Sequence, residues 1–315
     1  MSGNSGTASE SITYGSVGRG IQERLIKLLL FSCAALTVLV TLSILVTLTY
    51  DTITFFGFEA VDVVSFLTET NWEPRSGQYG VWPLVSATLT VTVVSALVAI
   101  PIGTAAAVYL SEYASPQMRS VLKPALEILA GIPTVVYGYL ALVYLTPWLR
   151  AAGLPLGTFN LLSASVMVGI LIVPMVSSLS EDAMSAVPDS LRQAGYGMGA
   201  TKFQVSTGIV IPAAVSGVFS SYILALSRAI GETMIVVMAA GLQTNLFDPL
   251  DPFGSLASSG RTMTAAMVNA VTSDATGASP EYYSMFAIGL TLFVITFTMN
   301  LLSNRIAARY REEYQ

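Results

Sequence analysis

Six stretches of the chain are long and apolar enough to cross a bilayer, near residues 25–50, 81–110, 124–147, 160–180, 213–241 and 283–304. A spanning helix needs about 20 apolar residues, and none of the six alternates apolar and polar positions over the roughly ten residues of a barrel strand. The pattern predicts an all-α integral membrane protein with six transmembrane helices. Pro101, Gly131, Pro133 and Pro174 fall inside these stretches, which is compatible with membrane helices whose neighbours satisfy the freed backbone groups. Pro133 lacks an amide hydrogen and predicts a bend at the start of the third stretch. The chain divides into a Gly/Ser/Thr-rich tail at 1–23, expected to be disordered, a first spanning helix at 24–50, a polar loop at 51–80, a five-helix core at 81–304 with a polar loop at 181–212, and a tail at 305–315. Trp72, Tyr79 and Trp82 lie where aromatic rings anchor at the headgroup level.

Composition agrees with this reading. Hydrophobic residues make up 53% of the chain and charged residues 10%, against about 25% charged in a soluble domain, too few to cover a soluble surface. Six crossings put both ends on one side of the membrane. That side collects Arg19, Arg24, Lys27, Arg119, Lys123, Arg192, Lys202, Arg305, Arg309 and Arg311, the other only Arg75, Arg150 and Arg261, and Arg228 lies within the fifth stretch. Because basic loops stay inside, both termini and the 181–212 loop are expected in the cytoplasm, and the 51–80 loop outside. The first stretch exceeds the core of about 7–15 residues found in a cleavable signal and lacks a convincing A-x-A site, so it reads as a permanent span.

The outer loops are acidic, with Asp51, Glu59, Asp62, Glu69, Glu73, Asp248, Asp251, Asp274 and Glu281. Together with a net charge of −5 and few lysines, this points to a halophilic, archaeal source, since high salt screens the self-repulsion of acidic surfaces. The single cysteine, Cys33, and the lack of histidine exclude an internal disulfide, zinc sites and histidine-based catalysis, and no metal or cofactor is expected. No G-x-x-x-x-G-K-[ST] loop is present to hold ATP, and no nucleic-acid partner is expected.

Two constellations carry candidate chemistry. In the 181–212 loop, Gln193-Ala194-Gly195 is followed by Gly199 four positions on, and by Ile209-x-Ile211-Pro212 ten positions beyond that glycine. Gly199 tolerates backbone angles that other residues resist, so two short helices meeting at a bend are predicted, a compact knob at the membrane surface. Gly195 lowers helix propensity by about 1 kcal/mol relative to alanine. In the fifth stretch lies Ser227-Arg228-Ala229-Ile230-Gly231-Glu232-Thr233-Met234. A charged side chain at mid-membrane costs about 2.5–3.5 kcal/mol on insertion scales. Arg228 and Glu232 stand four apart, so on a continuous helix they can pair on one face, which lowers the cost without removing it. Two roles are open: a station on a transport pathway, where the planar fork of arginine suits an oxyanion, or a clamp between helices with no ligand contact. Glu127 is expected to pair with Lys123, four positions earlier.

The 193–212 segment resembles the coupling loop of ABC-importer permeases, whose "EAA…G…I-x-L-P" pattern docks on an ATPase subunit; here Gln193 replaces the leading glutamate. Arg228-Ala-Ile-Gly-Glu-Thr-Met234 is similar to the signature of the PstC-type permease of phosphate ABC importers, whereas the PstA type continues Gly-Glu-Thr with Ala-Pro. Asn71-Trp72-x-Pro74 leading to Tyr79-Gly80, Tyr109-Leu-Ser-Glu-Tyr113, Glu127-Ile-Leu-Ala-Gly-Ile-Pro133-Thr-Val-Val-Tyr137-Gly138 and Arg261-Thr-Met-Thr-Ala265 extend the likeness over residues 24–304. The resemblance implies a type I ABC-importer permease architecture and a membrane-spanning subunit, not itself an enzyme, of an ATP-driven importer of inorganic phosphate. Its implied partners are a second permease of the PstA type, two ATP-binding subunits and an extracytoplasmic phosphate-binding protein. Arg228, Glu232 and Thr233 would then line the substrate pathway, and Gln193, Ala194, Gly195, Gly199, Ile209 and Pro212 would belong to the ATPase coupling loop. A permease for sulfate, molybdate or tungstate needs similar donors. An ion-coupled secondary transporter would show two internal repeats with paired broken helices, and none is evident.

The charge bias makes a topological prediction. In a Cys33→Ala background, cysteines placed in the 51–80 or 245–280 loops should react with an impermeant thiol reagent on intact cells, and those near 115 or 200 should not. Labelling of the 200 region from outside would reverse the assigned orientation.

Overall fold

In the computed structural model, which describes residues 16–273, 277 and 279–309, the described elements are helices apart from one short hairpin. The chain divides into two units, residues 1–50 and 51–315. The described part of the first belongs to α1 (Ser16–Phe56), an uninterrupted helix. It starts inside the tail expected at 1–23 and runs past the expected end at residue 50. Residues 1–15 of that tail, and 310–315 of the other, lie outside the described residues. The apolar length Gln22–Phe56, 35 residues, is ample for a bilayer span.

The second unit opens with a small folded module where a polar loop was expected. Helix α2 (Val63–Thr68) is capped by Asp62, whose carboxylate accepts from the Ser65 amide at 3.0 Å. Strands β1 (Trp72–Glu73) and β2 (Gln78–Tyr79) pair antiparallel, and Gly77 supplies the left-handed turn between them with φ 75°. Phe55, Phe66, Trp72 and Tyr79 then meet edge to face, a favoured aromatic geometry. Trp72 and Tyr79 are thus buried core residues and not headgroup anchors, because ring burial against other rings outweighs an interfacial position. Trp82 remains exposed, with its indole donating to the Leu67 carbonyl at 2.7 Å.

Five further helices follow: α3 (Trp82–Val108), extended by a wide turn at Tyr109–Tyr113; α4 (Pro116–Gly131); α5 (Thr134–Leu140), a wide turn at Ala141–Leu145 and α6 (Thr146–Ala151); and α7 (Leu161–Ser185). The loop after α7 folds as α8 (Asp189–Gly197), α9 (Lys202–Val205) and α10 (Ile211–Ala213). The fifth stretch forms α11 (Val215–Ile230) and α12 (Met234–Ala239), and α13 (Pro252–Ala257), α14 (Met263–Thr272) and α15 (Pro280–Arg309) complete the chain. Among the described residues four helices are long and apolar enough to cross a membrane, or up to six spans if each of two bent pairs counts as one. The first bend, 86° between Pro116–Gly131 and Thr134–Ala151, falls at Ile132-Pro133. Ile132 is extended there, as a residue before proline prefers. The second, 70°, separates Lys202–Ala213 from Val215–Ile230. The third predicted span is therefore an amphipathic helix followed by a bent-away apolar one.

The core is the pair α3 and α7, the most extensively packed helices of the molecule. Two glycines let them approach. A Cβ at Gly169 would stand 2.8 Å from the Val98 Cβ, and one at Gly103 would stand 2.7 Å from the Val176 Cβ. Small residues at a membrane-helix contact replace the hydrophobic drive that lipid removes. Ser95 adds a buried bond to the Ser165 carbonyl at 2.8 Å. Gly169→Val should therefore force the pair apart at a cost of about 1–3 kcal/mol or more. Thermal unfolding in detergent should move down clearly for this variant and little for Gly208→Ala, whose added methyl meets nothing within 4 Å; equal midpoints would refute the close contact.

Candidate functional site

The 189–212 knob takes the predicted form. Helix α8 ends at Gly197, the chain reverses at Gly199 with φ 83°, and Thr201 and Gln204 start α9 with reciprocal capping bonds. Gly195, which weakens an isolated helix, is buried: a Cβ there would stand 2.7 Å from the Ile209 Cδ1 and 3.0 Å from the Val205 Cγ2. It is the contact point at which the knob closes on itself. Gln193, Ala194, Gly199 and Pro212 are exposed, and Ile209 is half-buried. Tyr196, Met198 and Phe203 present an exposed apolar surface, with Met198 90% accessible.

The fifth span breaks where the sequence places its charges. Helix α11 ends at Ile230 and α12 begins at Met234, so residues 231–233 are not helical. Glu232, 5% exposed, turns its Oε1 onto the start of α12 and accepts from the amides of Thr233 (3.1 Å), Met234 (3.0 Å) and Ile235 (3.3 Å). The Glu232 carbonyl accepts from the Thr264 hydroxyl at 2.9 Å, and Thr233 donates its own hydroxyl to the Gly231 carbonyl at 3.1 Å. The far end of α12 is closed as well. Ala239 receives the Asn160 amide at 2.9 Å, Ala240 the Gly260 amide at 3.1 Å, and Leu242 the Arg261 guanidinium at 2.7 Å. Burial lowers the Arg261 pKa from its ordinary value while Glu73 opposes that shift; the group stays charged at neutral pH. Gly138 of α5 lies against this half-helix, where a Cβ would stand 3.2 Å from the Ile235 Cα.

The predicted pairing of Arg228 with Glu232 is absent. With the helix broken between them, four residues no longer make one turn on one face, and the carboxylate is already engaged by three amides. Arg228 is exposed on α11, in line with Leu224 and Ser220, and makes no ion pair among the described residues. Its neighbour Ser227 donates to the Asn300 Oδ1 of α15 at 3.2 Å. Arg228, Glu232 and Thr233 thus cluster at one break, with a cation facing outward and a carboxylate turned inward. Such a surface can receive an anion: the carboxylate is occupied by backbone donors, and the guanidinium keeps its fork free.

The expected Lys123–Glu127 pair is also absent. Lys123 reaches the Glu181 Oε2 of α7 at 2.6 Å, and Glu127 is exposed. The helix α4 turns Lys123 toward α7, where a buried carboxylate rewards the contact more than an exposed one four residues along. The buried carboxylates Glu112 and Glu181 do not stand out as a set in the sequence because they are distant along the chain; the signal there is a glutamate at the end of each of two apolar runs, the second followed by Asp182.

Residues 99–312 match the family model of the binding-protein-dependent transport system inner membrane component. The probable ABC transporter permease protein YqgH of Bacillus subtilis is 30% identical over 306 residues, 96% of either chain. The phosphate transport system permease protein PstC of Mesorhizobium japonicum is 32% identical over 273 residues, 79% of this chain and 77% of its own. Among solved structures, a bacterial alginate ABC transporter in complex with an alginate pentasaccharide-bound periplasmic protein shares the fold, with a TM-score of 0.63 at 16% identity over 91% of this chain and 96% of that one.

The geometry at Glu232 separates a capping role from a charge role. Glu232→Gln keeps a side-chain oxygen for the three amides, and Glu232→Ala leaves them orphaned where each unsatisfied group costs several kcal/mol. Recovery of folded protein from membranes should be near normal for Gln and sharply reduced for Ala. Equal recovery of both would remove the cap.

Proposed function

The chain belongs to the family of binding-protein-dependent transport system inner-membrane components, and from that premise we propose that it is the PstC-type permease subunit of an ATP-driven importer of inorganic phosphate. The observation that carries the phosphate reading is Arg228, an exposed cation inside an apolar span with no ion pair among the described residues, set beside a break in that span. A charge there is costly and is retained for an anion that crosses. The PstC relative supports phosphate as that anion.

In this reading a second permease of the PstA type covers the face of α11 that carries Arg228, and the anion passes between the two. Arg228 donates two parallel hydrogen bonds to the oxyanion, a geometry lysine does not offer. Glu232 is turned away from the anion by its three amides and sets the position of the break, and Thr233 offers a hydroxyl next to it. Both termini and the 181–212 loop lie in the cytoplasm. There the knob formed by Gln193, Ala194, Gly195, Gly199, Ile209 and Pro212 docks on one of two ATP-binding subunits through Tyr196, Met198 and Phe203. A phosphate-binding protein delivers the anion on the outer side. ATP binding and hydrolysis by the partners shift the permease pair between inward-open and outward-open states, so this chain does no chemistry of its own. Its family membership sets aside the ion-coupled secondary transporter.

The test is uptake of labelled phosphate by the assembled complex in vesicles. Arg228→Gln should lower uptake by about a hundredfold, and Arg228→Lys should retain part of it, on the scale of a charge-assisted hydrogen bond of about 1.5–3 kcal/mol. Assembly should persist in both. Because Arg228 and Glu232 do not pair, Arg228→Gln combined with Glu232→Gln should not restore uptake; restoration would favour the clamp. Uptake of sulfate, molybdate or tungstate in place of phosphate would reassign the substrate while leaving the site in position.

A further inference from the structure

Two carboxylates at the cytoplasmic ends of the core helices are almost fully buried and have no part in the anion path. Glu112, with its side chain 4% exposed, sits in the wide turn that ends α3; Glu181, 1% exposed, lies in the last turns of α7. Each is neutralised from a different element. Glu112 accepts from the Arg192 Nη2 of α8 at 3.1 Å and its Nε at 3.4 Å, and Ser111 adds a third bond at 3.0 Å. Glu181 receives Lys123 at 2.6 Å and Arg119 at 3.8 Å, both on α4.

Arg192 does more than pair. Its Nη1 donates to the Val187 carbonyl at 2.6 Å and to Asp189 at 3.1 Å, and its Nη2 donates to the Met184 carbonyl at 2.8 Å. One guanidinium therefore closes the carbonyl end of α7, binds the end of α3 and belongs to α8. Arg119 does the corresponding work for α4, donating to the Leu110 carbonyl at 2.6 Å and the Ser111 carbonyl at 3.1 Å. By contrast, the second knob helix, α9, meets this region through apolar packing of Val205 with Met184 and Val187 and through Lys202 over the Tyr113 ring, 5.1 Å from its centroid.

We infer that Arg192 and Glu112 are the positioning residues that join the knob to the membrane core, so that a displacement of α8 moves α3 and α7 with it as one body. The inference rests on the reading of the knob as the ATPase docking element. Its physical basis is the cost of separating the pair. A displacement of α8 alone would strand a buried carboxylate and bare the last carbonyls of α7, whereas moving the tightly packed helices together breaks none of these bonds. The docking surface at Tyr196, Met198 and Phe203 is made by other side chains, so docking and transmission are separable.

The experiment uses the complete complex in proteoliposomes, with phosphate-loaded binding protein enclosed on the outer side, and reads three quantities: subunit recovery, ATP hydrolysed with and without the binding protein, and phosphate moved per ATP. Arg192→Gln should leave the ATPase subunits bound and hydrolysing, while phosphate moved per ATP falls about fivefold or more, the lower range of coupling between sites. Arg192→Gln with Glu112→Gln removes the stranded charge as well. It should assemble at least as well as the single variant yet stay uncoupled, which a purely structural ion pair would not produce. Wild-type transport per ATP in the double variant would overturn the inference. Loss of the ATPase subunits from an otherwise folded double variant would also count against it, since the pair would then serve docking. Absence of phosphate uptake by the unmodified complex would instead reject the phosphate reading, and is told apart from both by that control.

Discussion

Inside a bilayer no water is available to a free amide or carbonyl, so an interrupted helix survives only if the chain itself satisfies both broken ends. The fifth span is organised by this constraint. Glu232 closes the amino end of α12 with one oxygen on three amides, and the segment from Gly260 to Thr264, with Asn160, closes the rest. Much else follows from that arrangement. The residues leading into α14, with its first residue Met263, are held inside the fold by their bonds to the end of α12, to Thr88 and to the start of α7. Glu232 is drawn away from Arg228, and Arg228 is left exposed with no ion pair among the described residues.

The same logic governs the carboxyl-terminal ends of α3 and α7. Helices that stop near the membrane surface leave carbonyls unpaired, and here arginine side chains meet them: Arg119 at Leu110 and Ser111, Arg192 at Met184 and Val187. Each arginine also comes within ion-pair distance of a buried glutamate. Capping and charge neutralisation are thus combined in single side chains, which costs less burial of charge than two separate devices would. Such a site is specific more than it is strong, because a buried ion pair barely offsets its own desolvation, but it ties three elements to one geometry.

Glycine does different work at three places. At Gly103 and Gly169 it permits close helix approach, at Gly195 it closes the knob, and at Gly199 it supplies a left-handed turn. Only the last needs glycine for its backbone angle. The others need the absence of a side chain, and their helix propensity is sacrificed to tertiary contact.

Apolar length and two motifs in the sequence alone were enough to establish the all-α membrane class, the family likeness and the knob with its bend at Gly199, because each depends on local composition and short spacing. The 51–80 segment escaped that reading: its polar residues hid an aromatic cluster of Phe55, Phe66, Trp72 and Tyr79 whose members are separated along the chain. Arg228 was legible as a costly charge, but its partner was not. Periodicity assumes a continuous helix, and the sequence does not say that three amides and not a guanidinium would win Glu232. The ties of Glu112 to Arg192 and Glu181 to Lys123 span 80 and 58 residues. Only the tertiary structure could decide them, since a buried charge takes the partner that folding brings within reach, and that choice has no trace in local spacing.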